Sequence, residues 1–311
     1  MATAYITHTD CLKHQISSVH PESPERLSSI EEHLITEGLM DLLIVSESPK
    51  ATFEQLARVH SKEHIAFIFE HSLDHGQYTI DPDTAMNQYT LQASLRAAGA
   101  VVKATDLVIN NQVNNAFCNV RPPGHHAEYE KAMGFCFFNN IATGVAHALE
   151  QFGLKRVAII DFDVHHGNGT ENIFFNDNRV LICSSYQSPL YPYTGHDSIS
   201  GHIINVKLPA DSAGSIFRKE IKQQWLPELE AFQPEMIFIS AGFDAHLNDP
   251  LAQLKLVEDD FFWVTKKLVE IAAKYSSNRI VSSLEGGYHL TALGQSAAAH
   301  IKGLMTCCDT S

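Results

Sequence analysis

The stretch Asp161-Phe162-Asp163-Val164-His165-His166-Gly167-Asn168-Gly169 decides the fold, because it loads the end of an apolar run with alternating metal-ligand side chains. Before it, Arg156-Val157-Ala158-Ile159-Ile160 reads as a buried strand from its β-branched run and glycine-rich exit. Residues two apart on a strand point the same way, so Asp161, Asp163 and His165 aim at one place just past its carboxyl end. Open α/β sheets hold their ligands there. A carboxylate beside an imidazole suits a divalent metal such as zinc, and a catalytic zinc keeps three protein ligands and one open position. Packing alone gives no reason to gather two carboxylates and two imidazoles at the end of a buried strand.

A third ligand must come from elsewhere. In Phe238-Ile239-Ser240-Ala241-Gly242-Phe243-Asp244-Ala245 another apolar strand ends in a glycine that lets the chain turn, which makes Asp163, His165 and Asp244 an Asp-His-Asp set. A lone Asp after a strand also serves as a turn residue or helix cap. Arg121-Pro122-Pro123-Gly124-His125-His126 follows a further apolar run, and its prolines hold the adjacent histidines on a rigid loop. Neighbouring imidazoles repel when both are charged, which favours one neutral base beside a partner in a different protonation state. That is acid/base equipment near neutral pH. Finally, Glu285-Gly286-Gly287-Tyr288 follows a strand, and its glycines can swing the Tyr288 phenol towards an oxyanion, although a tyrosine packed at a turn is the everyday reading.

Helical spacing predicts helices over about 25–39, 84–110, 139–152, 215–231, 258–275 and 289–304, and strands over about 3–7, 116–120, 156–161, 180–185, 236–241 and 279–284. Alternating strands and helices indicate an α/β fold with a mostly parallel sheet flanked by helices. At 311 residues and 44% hydrophobic, the chain 1–311 reads as a single domain. A net charge of −14 argues against direct nucleic-acid binding and suits basic substrates. The six cysteines (Cys11, Cys118, Cys136, Cys183, Cys307, Cys308) lack metal-site spacing, so reduced thiols are expected. With no signal-peptide pattern and no membrane-length apolar run, a soluble, cytoplasmic protein is the default expectation.

Taken in order, Arg121-Pro122-Pro123-Gly124-His125-His126, the run Gly134 to Asn140, Asp161 to Thr170, Ala241 to Ala245 and Glu285 to Tyr288 resemble the zinc-dependent histone deacetylase family. The segment His20-Pro21-Glu22-Ser23-Pro24-Glu25-Arg26-Leu27 extends the match, which then covers roughly residues 5 to 304. Asn168 looks like the class II branch, including bacterial deacetylases and acetylpolyamine amidohydrolases. The resemblance implies the arginase/deacetylase fold and hydrolysis of acyl-lysine amides. It implies His126 as general base and His125 as the water-positioning partner, with Asp161 behind His125 and Asn168 beside His126. It makes Tyr288 the oxyanion donor, Phe135 and Tyr191 the walls of the substrate tunnel, Gly134 a backbone acceptor, and Arg26 part of the substrate site. Structural K+ near Asp161, Asp163, His165 and Ser184 is implied as well.

Substrate class turns on Leu251. In the family's polyamine-specific branch a Glu gate follows Asp-Pro, whereas Asp249-Pro250 here leads into Leu251, which favours an acyl-lysine protein or peptide, histone tails among them, over an acetylpolyamine. Asp81 and Asp83 are candidates for holding substrate backbone, with turn or cap roles equally open. Two other classes stand further off. A non-catalytic acyl-lysine binder would lack one of Tyr288, His126 or the metal ligands, and a binuclear manganese ureohydrolase would carry extra carboxylates in place of the His125-His126 pair.

Overall fold

Short β-branched runs buried on both faces build the centre of the molecule. In the computed structural model, which describes residues 2–195 and 201–306, the sheet they anchor consists of β1 (Thr3–Thr7), the more exposed β2 (Ile44–Glu47), β5 (Asn115–Cys118), β6 (Val157–Asp161), β7 (Val180–Gln187), the partly exposed β8 (Ile203–Leu208), β9 (Met236–Ala241) and β10 (Ile280–Leu284). These eight strands make one sheet in the order β2-β1-β5-β10-β9-β6-β7-β8, and every neighbouring pair is parallel. A separate hairpin pairs β3 (Gln77–Asp81) with β4 (Thr84–Asn87). The helices are α1 (Glu25–Thr36), α2 (Phe53–Leu56), α3 (Lys62–Glu70), α4 (Thr90–Ile109), α5 (Asn140–Phe152), α6 (Asn168–Phe174), α7 (Gly214–Glu220), α8 (Leu226–Phe232), α9 (Glu258–Tyr275) and α10 (Leu290–Leu304). One helical layer packs α1 and α9 against α10, and another packs α4 against α5.

The strand order explains where chemistry can gather. The four central neighbours β5, β10, β9 and β6 are those whose carboxyl ends run into the His-His, Gly-Gly-Tyr, Gly-Phe-Asp and Asp-Phe-Asp motifs. Parallel pairing brings these ends to one edge of the sheet, and Asp161 lies in register with Ser240 of β9 and Ser184 of β7. Motifs more than a hundred residues apart thus converge without long loops.

Two expected helices differ. Residues 84–110 were expected to be one helix, but Thr84–Asn87 is a strand, and Asn87 Oδ1 accepts hydrogen bonds from Tyr89 N and Thr90 Oγ1 in a turn that delays the helix to Thr90. Residues 215–231 are interrupted by a π turn at Ile221–Trp225, after which α8 restarts with Pro227 in its first turn, where a missing N–H does no harm. The edge strands β2 and β8 and the hairpin were not anticipated; β2 is largely exposed and lacks the apolar run of the central strands. Cys11, Cys118, Cys136 and Cys183 are buried free thiols, and Cys307 and Cys308 lie outside the described residues. Among the described residues no helix is long and apolar enough to cross a membrane.

Burial also makes the core acid-sensitive. His300 sits among Phe117, Phe162 and Phe243 with its ring nitrogens on Thr265 and Ser282 hydroxyls, and burial pushes its pKa down to about 3. His60 is pushed to about 3 by burial and by neighbouring His64; its Nε2 accepts from Asn139 N and its Nδ1 donates to the Glu128 carbonyl. Both are held neutral, with folded pKa values below an unfolded value of about 6.5, so their stabilisation is complete above pH ~6.5 and is lost as pH falls towards 3. Urea unfolding between pH 6 and 4 should therefore lose about 1.4 kcal/mol per pH unit for each of the two histidines. His300→Asn should flatten that slope by about one proton; an unchanged slope would mean that His300 is not the group responsible.

Candidate active site

Asp163, His165 and Asp244 each offer a ligand atom within 4.8 Å of the others. Backbone donors set both carboxylates. Asp163 Oδ1 accepts from His165 N at 2.9 Å and Oδ2 from Gly286 N at 2.8 Å, while Asp244 Oδ1 accepts from Val164 N at 2.9 Å. His165 turns Nδ1 into the same space, 3.0 Å from Asp163 Oδ1 and 3.2 Å from Asp244 Oδ2. Asp244 Oδ2 is buried and accepts no hydrogen bond of good geometry, the His165 contact being a close approach only. Gly286 is required here, since a Cβ on it would lie 2.0 Å from Asp244 Oδ2 and 2.5 Å from Asp163 Oδ2.

The charge balance of this cluster calls for a cation. Burial, then the neighbouring Asp163, pushes Asp244 up to about 7. The His165 pKa rises to about 10 because its two carboxylate partners outweigh the cost of burial. A divalent metal on these atoms relieves both effects at once, and the mixed oxygen and nitrogen donor set suits zinc. Ser184 Oγ, beside Asp161 in the sheet, is a second buried oxygen without a hydrogen-bond partner, as a monovalent-cation ligand would be.

The two loop histidines stand apart electrostatically. His125 Nδ1 donates to Asp161 Oδ2 at 3.0 Å, and its Nε2 lies 3.8 Å from Asp163. Burial opposes its charge, but Asp163 and Asp161 prevail and raise its pKa well above the usual value. His126 Nδ1 meets Asn168 Oδ1 at 2.7 Å; burial, reinforced by the positive His125 and His165, drives its pKa well below the usual value. Glu285, not singled out in the sequence, fixes the loop: its Oε2 accepts from Gly124 N at 2.7 Å and His125 N at 3.1 Å. Its position at the exit of an apolar strand was the available signal.

A cavity of about 240 Å³ opens over these groups, lined by His125, His126, His165, Phe135, Tyr191 and Tyr288, with Asp83, Gly134, Leu190 and Leu251 also in its wall. That volume admits a side chain, not a folded polypeptide. Gly134 and Phe135 both have positive φ, in a turn closed by paired Met133 and Cys136 backbone bonds, and this turn delivers the Phe135 ring to the wall. Any side chain at 134 would strike the His126 ring, with its Cβ only 2.5 Å from Cδ2. Asp81 lies back from the cavity and accepts from Asp83 N, a turn role.

Arg26 requires correction. Expected at the substrate site, it is instead fully buried and absent from the cavity wall. Its guanidinium donates to the Glu285 and Gly287 carbonyls and to Glu22, and lies 4.8 Å from the Tyr288 ring centroid. Five donors in a planar fork make Arg suited to tying backbone carbonyls, and here they hold the turn under Tyr288. Asp249 also grips this turn, its Oδ2 accepting from Tyr288 N at 2.7 Å, while its Oδ1 accepts from Leu251 N at 3.0 Å within its own loop.

Comparisons with known proteins agree with this geometry. The family model for the histone deacetylase domain matches residues 20–304. A probable deacetylase of Archaeoglobus fulgidus is 38% identical over 296 residues, covering 93% of this chain and 82% of the relative. A histone deacetylase-like amidohydrolase of Pseudomonas aeruginosa is 35% identical over 276 residues, covering 86% and 72%. The crystal structure of the HDA15 HD domain superposes with a TM-score of 0.91 at 32% identity, covering 97% of this chain and 89% of that one.

Gly286→Ala tests the metal site without removing a ligand. Its Cβ would crowd both carboxylates, so zinc affinity, measured by chelator competition, should fall about 10–100-fold, the range for disturbed support of metal ligands. Crowding in the buried site should also cost the chelated protein about 1–3 kcal/mol in urea unfolding, while circular dichroism still shows the parent's fold. Parent-like zinc retention would mean that the ion binds elsewhere.

Proposed function

The chain belongs to the histone deacetylase family of amidohydrolases, and from that premise we propose that it is a zinc-dependent enzyme removing acetyl or other acyl groups from lysine side chains of proteins or peptides. The observation that carries this reading is the meeting of His125, His126, His165 and Tyr288 with the aromatic rings of Phe135 and Tyr191 around one cavity. Asp163, His165 and Asp244 would hold a zinc ion, which would supply Lewis acidity to the site. Structural K+ at the Ser184 and Asp161 position is part of the same proposal, supported by the orphaned Ser184 hydroxyl.

The remaining chemistry belongs to the chain. Nδ1 of His126 is occupied by Asn168, so its Nε2 is left to accept a proton from the attacking water and return it to the departing amine. His125, kept protonated against Asp161, orients the water and offsets negative charge. The Tyr288 phenol donates to the carbonyl oxygen as charge develops there. Phe135 and Tyr191 enclose the apolar stem, and the Gly134 carbonyl is the proposed acceptor of the amide N–H, a reading supported by the position of Gly134 in the cavity wall.

Removing the phenol alone should be costly. Tyr288→Phe should keep fold and metal but lose on the order of 10²–10³ in kcat, as for one oxyanion donor. Turnover near that of the parent would assign oxyanion stabilisation to another group.

Leu251 supports acyl-lysine over acetylated polyamines, because an apolar group at the cavity wall gives no electrostatic reward to a distal ammonium. Acetyl-lysine peptides, histone-tail sequences among them, longer acyl-lysines and acetylspermidine should be compared by kcat/KM. Acyl-lysine peptides should lead, and Leu251→Glu should shift preference towards acetylspermidine through attraction to its distal charge. A parent that already prefers acetylspermidine to every peptide would reverse the substrate assignment while leaving amide hydrolysis intact.

A further inference from the structure

Behind His126 the hydrogen-bond chain does not stop at Asn168. Asn168 Nδ2 donates to Glu128 Oε1 at 2.6 Å, while the other acceptors near that nitrogen, the His126 carbonyl and the Met133 sulfur, are each 3.4 Å away. Asn168 is buried, and Glu128 is half-buried at the border of a polar surface pocket that both residues line. Sequence reading assigned Glu128 no role.

An amide is ambiguous in a way that a carboxylate is not. Turned one way, Asn168 presents Oδ1 to His126, which must then carry its proton on Nδ1; turned the other way, it presents N–H, and the proton moves to Nε2. An ionised carboxylate can only accept. With Glu128 on the far side, the amide must point its nitrogen outward and its oxygen at the imidazole.

We propose that Glu128 is a positioning residue that sets the His126 tautomer by fixing the orientation of the Asn168 amide. The proposal rests on the reading of His126 as the proton acceptor, and extends that machinery by one residue. Glu128 touches neither substrate nor reacting atoms. It acts by leaving the Nε2 lone pair, on the cavity side of the ring, free.

The test replaces an acceptor with a donor. Glu128→Lys offers only N–H groups, so the amide should turn over, and 15N NMR of histidine-labelled protein should show His126 moving from the Nδ1–H to the Nε2–H form. With acyl-lysine peptide, kcat should fall on the order of 10–100-fold at nearly constant KM, as for a wrong tautomer acting through a supporting group. Glu128→Gln, which can donate or accept, should lie between. Asn168→Asp removes the ambiguity, because a carboxylate accepts on both sides. In that background Glu128→Lys should cost less than about threefold, since residue 128 no longer sets the tautomer.

An unchanged tautomer in Glu128→Lys, or an equal loss from that change in the Asn168→Asp background, overturns the proposal. If the parent hydrolyses no acyl-lysine, the functional reading fails, and the NMR tautomer still decides the role of Glu128.

Discussion

Four carboxylates, Asp161, Asp163, Asp244 and Glu285, are buried together at one edge of the sheet, and the rest of the site is organised around their charge. A single buried anion is expensive, and four together must be hydrogen-bonded, neutralised by cations or partly protonated. The structure uses backbone N–H groups for the first, among them those of Gly124, His125, Val164, His165 and Gly286. His125 provides the second, and a metal on Asp163, His165 and Asp244 would add to it. The third applies to Glu285, which touches no proposed metal ligand atom and whose pKa burial pushes up to about 7. A parallel sheet makes this concentration possible, because its central strands all release their chains at the same edge.

The loops around that edge are tied down by another buried charge cluster. Glu22, Arg26 and Arg121 are all fully buried. Arg121 donates to both Glu22 oxygens and to the Cys11, His14 and Glu22 carbonyls, and Arg26 reaches from Glu22 to the carbonyls of Glu285 and Gly287. Burial alone would raise the Glu22 pKa, but Arg121, His14 and Arg26 hold it well below the usual carboxylate range. Such a cluster is tolerable only because its donors are met, and removing one member would leave a buried charge unpaired. Its position gives it a purpose beyond stability. It joins the N-terminal segment, the Arg-Pro-Pro-Gly loop and the turn under Tyr288 into one rigid body.

What was legible in the sequence followed how local its signal was. Asp163 and His165 stand two apart beyond an apolar strand, and Asp244 follows a strand and a glycine, so spacing pointed to these three, but it pointed equally to Asp161, which backs His125 instead. The central strands were readable because burial on both faces demands continuous β-branched runs; β2 has no such demand, and the hairpin at 77–87 mixes polar and apolar residues. Arg26 shows the limit. An arginine in a motif reads as a ligand contact, yet its partners Glu285 and Gly287 lie 259 and 261 residues away, a pairing that only the fold reveals. Glu128 was hidden for the same reason, since a carboxylate that serves an amide group carries no local signature, whereas Glu285 had only its place at the exit of an apolar strand to mark it.

The two loop histidines illustrate how near-identical residues acquire different work from what lies behind them. Asp161 backs His125 with a full charge, and Asn168 backs His126 with a dipole. Once His125 is charged, its ring centroid 4.1 Å from that of His126 adds repulsion against a second charge, so the difference between the supports is amplified by the pair itself. Had both supports been carboxylates, the choice of which ring carries the proton would rest on finer differences of position. An amide in one place settles that choice, but at the cost of an orientation that must itself be held. The division of labour between the histidines is therefore written less in the rings than in the donors and acceptors one and two bonds behind them.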